Sequence, residues 1–518
     1  MERVPPSIFP VVVLTGSNYE MGYQYGAQVG HLIWEEVTAA RATAVRYLGS
    51  EALLRNLVGQ YRNGLRRFQG EAEMMEGIAA GASQRGRRLR YEDILMLNTC
   101  TASFTMLQDI SRAAGERGEA GGCTVFSAWG PATHDGELIC GDSSDSRFSR
   151  QVVILGFPRE GHRFMCIARA GQLSHHFAMN DQGLFIGNSG GDSVRPTDYC
   201  CGVPWTLAIS RLVRLAGSAQ EAAAELGKWT VNMPENYHLA DTQGTALVVE
   251  VTASRRGTRL SGDFGESSYL YSTNNFFTQE MRECFDFPEA VPRAGWRGRP
   301  SLASVPRNLF LSELLNNGHG AIDIEYAKMM WRCPGKAPPD PFNVDAYYSG
   351  GWSEWQQVIC NLNNDHVAVV KPRSGSGGVA YICAGPAAPI AYPFTPDKHW
   401  YLPDPLNAFV KLVLCDDVTS FLEQCELDAH QSLGEAYAGF MELTPNATAY
   451  AYLRERMSQA TAAFFEGTQS AAEISRQLRH GGTAVAARAA TLFARTQAYA
   501  AHISDVLSPP PRSPEELR

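Results

Sequence analysis

Gly121-Gly122-Cys123-Thr124-Val125-Phe126-Ser127-Ala128-Trp129 is where the chain changes character. Before it, Arg112 to Gly122 (RAAGERGEAGG) is charged, glycine-rich and free of large apolar groups, which predicts an exposed mobile loop. After it, Cys123 to Trp129 reads as a strand whose first residue is a thiol. Attack of Cys123 on the Gly122 carbonyl would turn the peptide into a thioester, and hydrolysis would leave Cys123 as a new chain terminus. Glycine suits position 122, because a residue without Cβ tolerates a strained backbone and leaves its carbonyl open. The freed α-amine, with a reference pKa of about 8, is a general base near neutral pH. One residue then supplies nucleophile and base together. The plainer alternative is a cysteine buried for packing at the start of a strand.

Working outward, the first 110 residues read as one strand, Phe9 to Leu14, followed by helices over Tyr19 to Tyr47, Glu51 to Ser83 and Tyr91 to Phe104. Beyond Cys123 short strands follow at Glu137 to Cys140, Gln151 to Phe157, His162 to Ala168, His176 to Ala178 and Leu184 to Ile186. A helical stretch at Thr206 to Lys228 interrupts them. Strands resume at Tyr237 to Leu239, Ala246 to Val251 and Tyr269 to Tyr271, and His366 to Lys371 with Val379 to Cys383 forms a hairpin. From about Leu406 to Leu507 the pattern is helical again, including LNAFVKLVL, and Pro509-Pro510-Pro511 opens a loose tail. Strands grouped around a helical insertion predict an α+β fold with helix-covered sheets.

Composition narrows the function classes. The chain has 518 residues, 44% hydrophobic and 19% charged, enough for a large core and not the balance of a disordered chain. A net charge of −9 argues against a nucleic-acid partner. No apolar run approaches a membrane span and the start lacks a signal peptide, so the reading is cytoplasmic, with no membrane partner. Twelve cysteines without periodic spacing fit a reducing compartment rather than a disulfide scaffold.

Four segments together resemble the N-terminal-nucleophile (Ntn) hydrolases, in particular the autoproteolytic acyltransferase and amidohydrolase group that includes isopenicillin N acyltransferase (peptidase C45-like). The likeness to penicillin V acylase and choloylglycine hydrolase is more distant. Gly16-Ser-Asn-Tyr19-Glu-Met-Gly22-Tyr-Gln-Tyr-Gly26 is similar to the opening G-x-x-Y-E-x-G-x-x-x-G. Cys123-Thr124, His134-Asp135-Gly136 and Gly141-Asp-Ser-Ser-Asp145 resemble the nucleophile strand and its return, G-x-N-x-D. Asn180-Asp-Gln-Gly183-Leu184 through Asn188 is similar to the N-x-x-G-[LV] turn and the strand after it. Asn236 to Asp241, Gly244-Thr-Ala246, Glu250-Val-Thr and Ser272-Thr-Asn274-Asn275-Phe276 resemble the later strands.

The resemblance implies a four-layer αββα sandwich of two antiparallel sheets, here with a C-terminal helical extension. Residues 1–122 are then a pro-segment retained as a small chain, 123–395 the catalytic core, and 396–518 the helical extension. It implies self-cleavage between Gly122 and Cys123, Cys123 as nucleophile, Asp145 holding the α-amine, and Asn274 in the oxyanion hole. Asn188, Ser189, Asp142 and Thr124 are the further candidates for oxyanion or substrate contacts. The implied partner is a small acyl amide, or an acyl donor such as a thioester with an amine acceptor, and no metal or organic cofactor is required. Ser143 replaces the family's asparagine, and Asp142 stands where the bile-salt branch has arginine, so that branch's substrate contacts do not transfer. No arginine near the nucleophile is assigned from sequence.

Rival motifs are weaker. Gly187-Asn-Ser189-Gly-Gly191 is similar to a trypsin-like nucleophile turn, but His134 is only 55 positions (189 − 134) before Ser189, too close to hold a first barrel. His175-His176 and Cys200-Cys201 are adjacent pairs, which on a strand point to opposite faces and rarely chelate together. The alanine-rich final helices read as a packing or homo-oligomer surface. The alternatives from other classes are a non-catalytic binding protein on this fold and a phospholipase B-like esterase.

Overall fold

The computed structural model describes residues 8–83, 88–99, 122–145, 150–191, 193, 195–282, 284, 300–333, 359–360, 364–388, 407–443, 450–477, 482–511 and 513. Of the loop expected at 112–122, residues 112–121 lie outside them, and Gly122 is a strand residue. Fourteen strands among the described residues form two sheets. The eight-stranded sheet runs β1 (Val11–Gly16), β4 (Gln151–Pro158), β5 (Phe164–Arg169), β6 (Ala178–Asn180), β7 (Leu184–Gly190), β8 (Glu235–Asp241), β9 (Ala246–Val251), β10 (Arg256–Leu260). The six-stranded sheet runs β11 (Tyr269–Ser272), β2 (Gly122–Ala128), β3 (Ile139–Asp145), β12 (Asn364–Lys371), β13 (Gly378–Ala384), β14 (Val410–Leu414).

Strand alternation assigns the layers. Val13, Val153, Leu155, Met165 and Phe185 from one sheet meet Val125, Cys140, Leu270, Ala368 and Val370 from the other in a shared core. The opposite face of the larger sheet is covered by α1 (Asn18–Leu48), α2 (Glu51–Gly64), α3 (Gln69–Ala82), α4 (Tyr91–Thr99), α5 (Trp205–Leu215) and α6 (Ala219–Leu226). After the short turn of helix α7 (Gln279–Arg282), α8 (Pro300–Asn317) and α9 (Ile324–Arg332) cover the outer face of the smaller sheet. The result is the expected helix-sheet-sheet-helix order.

Two expectations are corrected. The larger sheet is not wholly antiparallel: β1 pairs with β4 in parallel, from Val11↔Val153 to Gly16↔Pro158. Parallel neighbours need a long crossover, and here α1–α4 and the first two strands of the other sheet intervene. LNAFVKLVL is not a helix; Val410–Leu414 is edge strand β14, alternating buried and half-buried positions. Two predicted helices are each split, with Ser218 capping the second of one pair. The charged strand β10 and helices α8 and α9 have no counterpart in the sequence reading.

The C-terminal helices α10 (Val418–Met441), α11 (Tyr450–Gln477) and α12 (Thr483–Leu507) are partly built into the sandwich. Ala486, Ala489, Ala490, Phe493 and Ala494 of α12 enter the inter-sheet core beside Val11 and Leu412. They close the seam between edge strands β1 and β14. The outer edge of β1 is satisfied by side chains: the Val11 N–H donates to Thr491 Oγ1 at 2.9 Å. The Gln28 and Gln24 amides likewise bond both N–H and C=O of Val13 and Thr15. An edge otherwise open to a second chain is thereby blocked.

The opening motif has a physical reason. Ser17 and Glu20 form a capping box that starts α1. Gly22 and Gly26 then press against α3, where a Cβ on Gly22 would lie 2.0 Å from the Met74 carbonyl oxygen. Gly22→Ala is therefore expected to force the helices apart at a cost of about 1–3 kcal/mol. A thermal melt of the variant beside wild type checks this, and an unchanged midpoint contradicts it.

Candidate active site

β2 and β3 set the site. Cys123 pairs with Ser144, Gly122 with Asp145 and Thr124 with Ser143. Val125 faces the inter-sheet core and Phe126 the outer one, so by the period of two the Cys123 thiol looks inward. Thr124 and Asp145 belong to the outward face, toward α8.

On that outward face Arg307 of α8, 2% exposed, gathers the strand start. Its Nη1 donates to the Cys123 carbonyl at 2.7 Å and to Thr124 Oγ1 at 3.1 Å. Its Nη2 donates to Asn274 Oδ1 at 2.8 Å, and Nη1 lies 3.5 Å from Asp145 Oδ2. Asn274 Oδ1 also accepts the Cys123 backbone N–H at 2.7 Å, while its Nδ2 donates to the Gly190 carbonyl at 2.9 Å. Asp145 Oδ1 accepts from Asn364 Nδ2 at 2.5 Å. A Cβ on Gly122 would come within 2.8 Å of Arg307 Nη1. A side chain at 122 would displace the guanidinium; Gly122 itself is a paired strand residue without positive φ.

The inward face is built from histidines and carboxyls. Cys123 Sγ lies 3.6 Å from His176 Nε2, and His176 Nδ1 lies 2.9 Å from the Asn188 carbonyl. Asp142 Oδ1 is 3.0 Å from His366 Nε2, and His366 Nδ1 is 2.9 Å from Gln151 Oε1. Burial pushes the Asp142 carboxyl up to about 7 and the His366 imidazole down to about 3. Burial disfavours the charged form of each, and Oε1 of Gln151, whose amide nitrogen is held on Asp365, accepts from Nδ1–H. Burial, then the Asp145 and Asp142 carboxyls, push the Cys123 thiol up to about 12, opposed by the Gly190 N–H and Arg307.

Burial also pushes Glu235 up to about 8, although Asn188 Nδ2 donates to it at 2.9 Å. A carboxyl whose folded pKa is raised binds its proton more tightly folded than unfolded. Its stabilising contribution is complete below the unfolded value near 4 and is lost as pH rises to about 8. The Cys123→Ala chain is expected to melt lower at pH 8.5 than at pH 5, and Glu235→Gln to flatten that slope. Equal slopes contradict the assignment.

The other sequence candidates are placed as follows. Asn188 turns its amide toward Glu235 and offers Cys123's neighbourhood only its main chain. Ser189 donates to the Thr273 carbonyl at 2.8 Å and is buried. Thr124 is held by Arg307, and Asp142 by His366. Among the described residues no group of three His, Cys, Asp or Glu is arranged to hold a metal ion, and no helix is long and apolar enough to cross a membrane. Arg307, Asn364 and His176 are site residues that sequence reasoning missed. His176 carried one signal, its place in the adjacent pair His175-His176; the strand expected from it begins at Ala178 instead.

Residues 142–286 match the family described as acyl-coenzyme A:6-aminopenicillanic acid acyl-transferase. That window holds Asp142, Asp145, His176 and Asn274, whereas Cys123 and Arg307 lie outside it. An uncharacterized protein of Archaeoglobus fulgidus is 25% identical over 358 residues, 61% of this chain and 56% of its own length. The chain thus spans little more than half of that relative. Among solved structures, an N-acylethanolamine-hydrolyzing acid amidase ortholog of Caenorhabditis elegans aligns at TM-score 0.30 and 12% identity, over 48% of this chain and 93% of that one. A mutant conjugated bile acid hydrolase of Clostridium perfringens aligns at 0.31 and 12%, over 51% and 89%. Penicillin V acylase of Agrobacterium tumefaciens aligns at 0.28 and 14%, over 51% and 83%. Over residues 142–286 the resemblance read from the motifs is borne out: that stretch matches the family described as acyl-coenzyme A:6-aminopenicillanic acid acyl-transferase.

Proposed function

We propose that this chain is a cysteine Ntn hydrolase or acyltransferase that cuts itself between Gly122 and Cys123. It then acts on the linear C–N amide bond of a small acylated substrate through an acyl-thioester on Cys123. The observation that carries the reading is the convergence of Arg307, Asn274 and Asp145 on one backbone step, Gly122–Cys123. Burying a guanidinium and a carboxylate is costly, and packing a strand start needs neither. After the cut, the freed Cys123 amine replaces the amide N–H on Asn274 and takes up the thiol proton. Asp145 and Arg307 set its position, and the Asn274 amide, released from Gly190, stabilises the tetrahedral oxyanion by roughly 3 kcal/mol. Water or an amine then resolves the acyl-enzyme. Residues 1–122 stay bound as the small chain, because β1 is a strand of the larger sheet and α1–α4 cover its face.

The test is to mix the protein with an N-acyl anilide and with the phenyl ester of the same acid. The expected result is anilide turnover with an acyl mass on the 123–518 fragment, removed by hydroxylamine. Turnover of the ester alone moves the protein to the esterases. Absence of both adduct and turnover across acyl lengths overturns the proposal.

A further inference from the structure

Self-cleavage needs a base before the enzyme has one. In the intact chain the Cys123 nitrogen is an amide, its lone pair delocalised into the peptide bond and its N–H given to Asn274 Oδ1 at 2.7 Å. It accepts no proton, so the amine that serves later turnovers is missing from the first. The thiol is meanwhile held protonated by burial and the nearby carboxyls.

We propose that His176 is the catalytic base for the self-cleavage step, taking the Cys123 thiol proton on Nε2. The inference rests on the autoproteolytic reading above and adds the residue that starts it. Nε2 is 3.6 Å from Sγ, within reach of an S–H···N bond. The tautomer is set from the other side. Nδ1 lies 2.9 Å from the Asn188 carbonyl oxygen, which only accepts, so Nδ1 carries the hydrogen and Nε2 presents its lone pair to the thiol. The ring is 5% exposed and packed edge-on against His175 and His366, with centroids at 4.3 and 5.5 Å.

The carboxyls of Asp142 and Asp145 are the rival acceptors, and neither oxygen of Asp142 is bonded to the thiol, its Oδ2 having no hydrogen-bond partner among the described residues. Asp142 Oδ1 is 3.9 Å from His176 Nδ1 and bonded to His366. Asp145 belongs to the opposite face of β3, with Arg307 and Asn364. The Gly190 N–H is directed at the sulfur and favours the thiolate as it forms.

The step balances without a cofactor. The Sγ proton passes to Nε2, and Sγ forms a bond to the Gly122 carbonyl carbon. The C–N bond to Cys123 breaks, and the imidazolium returns the proton to the leaving nitrogen, which becomes the amine. Water then hydrolyses the thioester to the Gly122 carboxylate and the regenerated thiol.

Two variants separate this role from packing. His176→Asn keeps an N–H where Nδ1 meets the Asn188 carbonyl and deletes the acceptor facing the thiol. His176→Gln keeps a polar group beside the thiol and cannot hold its proton. Full chains made by cell-free synthesis are followed by intact mass, with and without hydroxylamine, alongside thermal melts. The expected result is self-cleavage slowed at least about 100-fold in both variants, melting within a few degrees of wild type, and no recovery with hydroxylamine. A folded variant that cuts within threefold of wild type overturns the proposal. So does one that hydroxylamine restores, since the thioester would then form without His176. A wild-type chain that stays whole removes the autoproteolytic reading itself, and this inference with it.

Discussion

Cys123→Ala is expected to leave the chain whole and to lower amide turnover by four orders of magnitude or more, the scale on which a lost nucleophile is felt. The two losses are one loss, because the same sulfur makes the thioester with Gly122 and later with substrate. The fold should survive. Cys123 is a strand-end residue, and alanine keeps the backbone N–H on Asn274 and the carbonyl on Arg307. Intact mass, a melt and an amide assay on one preparation therefore suffice. A processed variant, or one with wild-type turnover, places the chemistry elsewhere.

Arg307→Leu should produce the second-largest effect, and on stability as well as chemistry. The substitution strips the guanidinium from buried Asp145, from Asn274 Oδ1 and from the Cys123 carbonyl at once. Breaking a buried ion pair by removing one partner costs about 3–5 kcal/mol. In the Cys123→Ala background the melting temperature should fall accordingly, and in the Cys123 background self-cleavage should slow at least about 100-fold. Arg307→Lys should not restore the rate, because one ammonium cannot span the acceptors that the planar fork reaches. A near-wild-type melt for Arg307→Leu would mean that this cluster is not what holds the strand start.

How legible this was in the sequence follows from the range of each signal. The step from a glycine-rich segment into CTVFSAW is local, and both the strand and the thiol at its start are readable from it; that the thiol faces inward is set by the pairing with β3. Asp145 and Asn274 were carried by motifs, and both reach Arg307 in the structure. Arg307 itself sits in no motif and meets Cys123 across 184 positions of sequence, so nothing local announces it. His176 was weighed as half of an adjacent metal pair and set aside. In the structure neither histidine lies in a strand: β6 begins at Ala178, and the two rings pack edge-on at 4.3 Å with His176 Nε2 turned to the thiol. LNAFVKLVL misled because a short apolar run beside a long helix fits both periods; the deciding contact, β14 against β13, is a partner strand. The parallel placement of β1 depends likewise on β4, 140 positions later (151 − 11).

The most direct measurement is the amino-terminal sequence of the larger fragment after the purified wild-type chain has been incubated. The expected fragment begins Cys-Thr-Val-Phe-Ser, residues 123–127, with the 1–122 fragment still bound to it. A chain that remains whole, or a fragment that begins at any other residue, contradicts it.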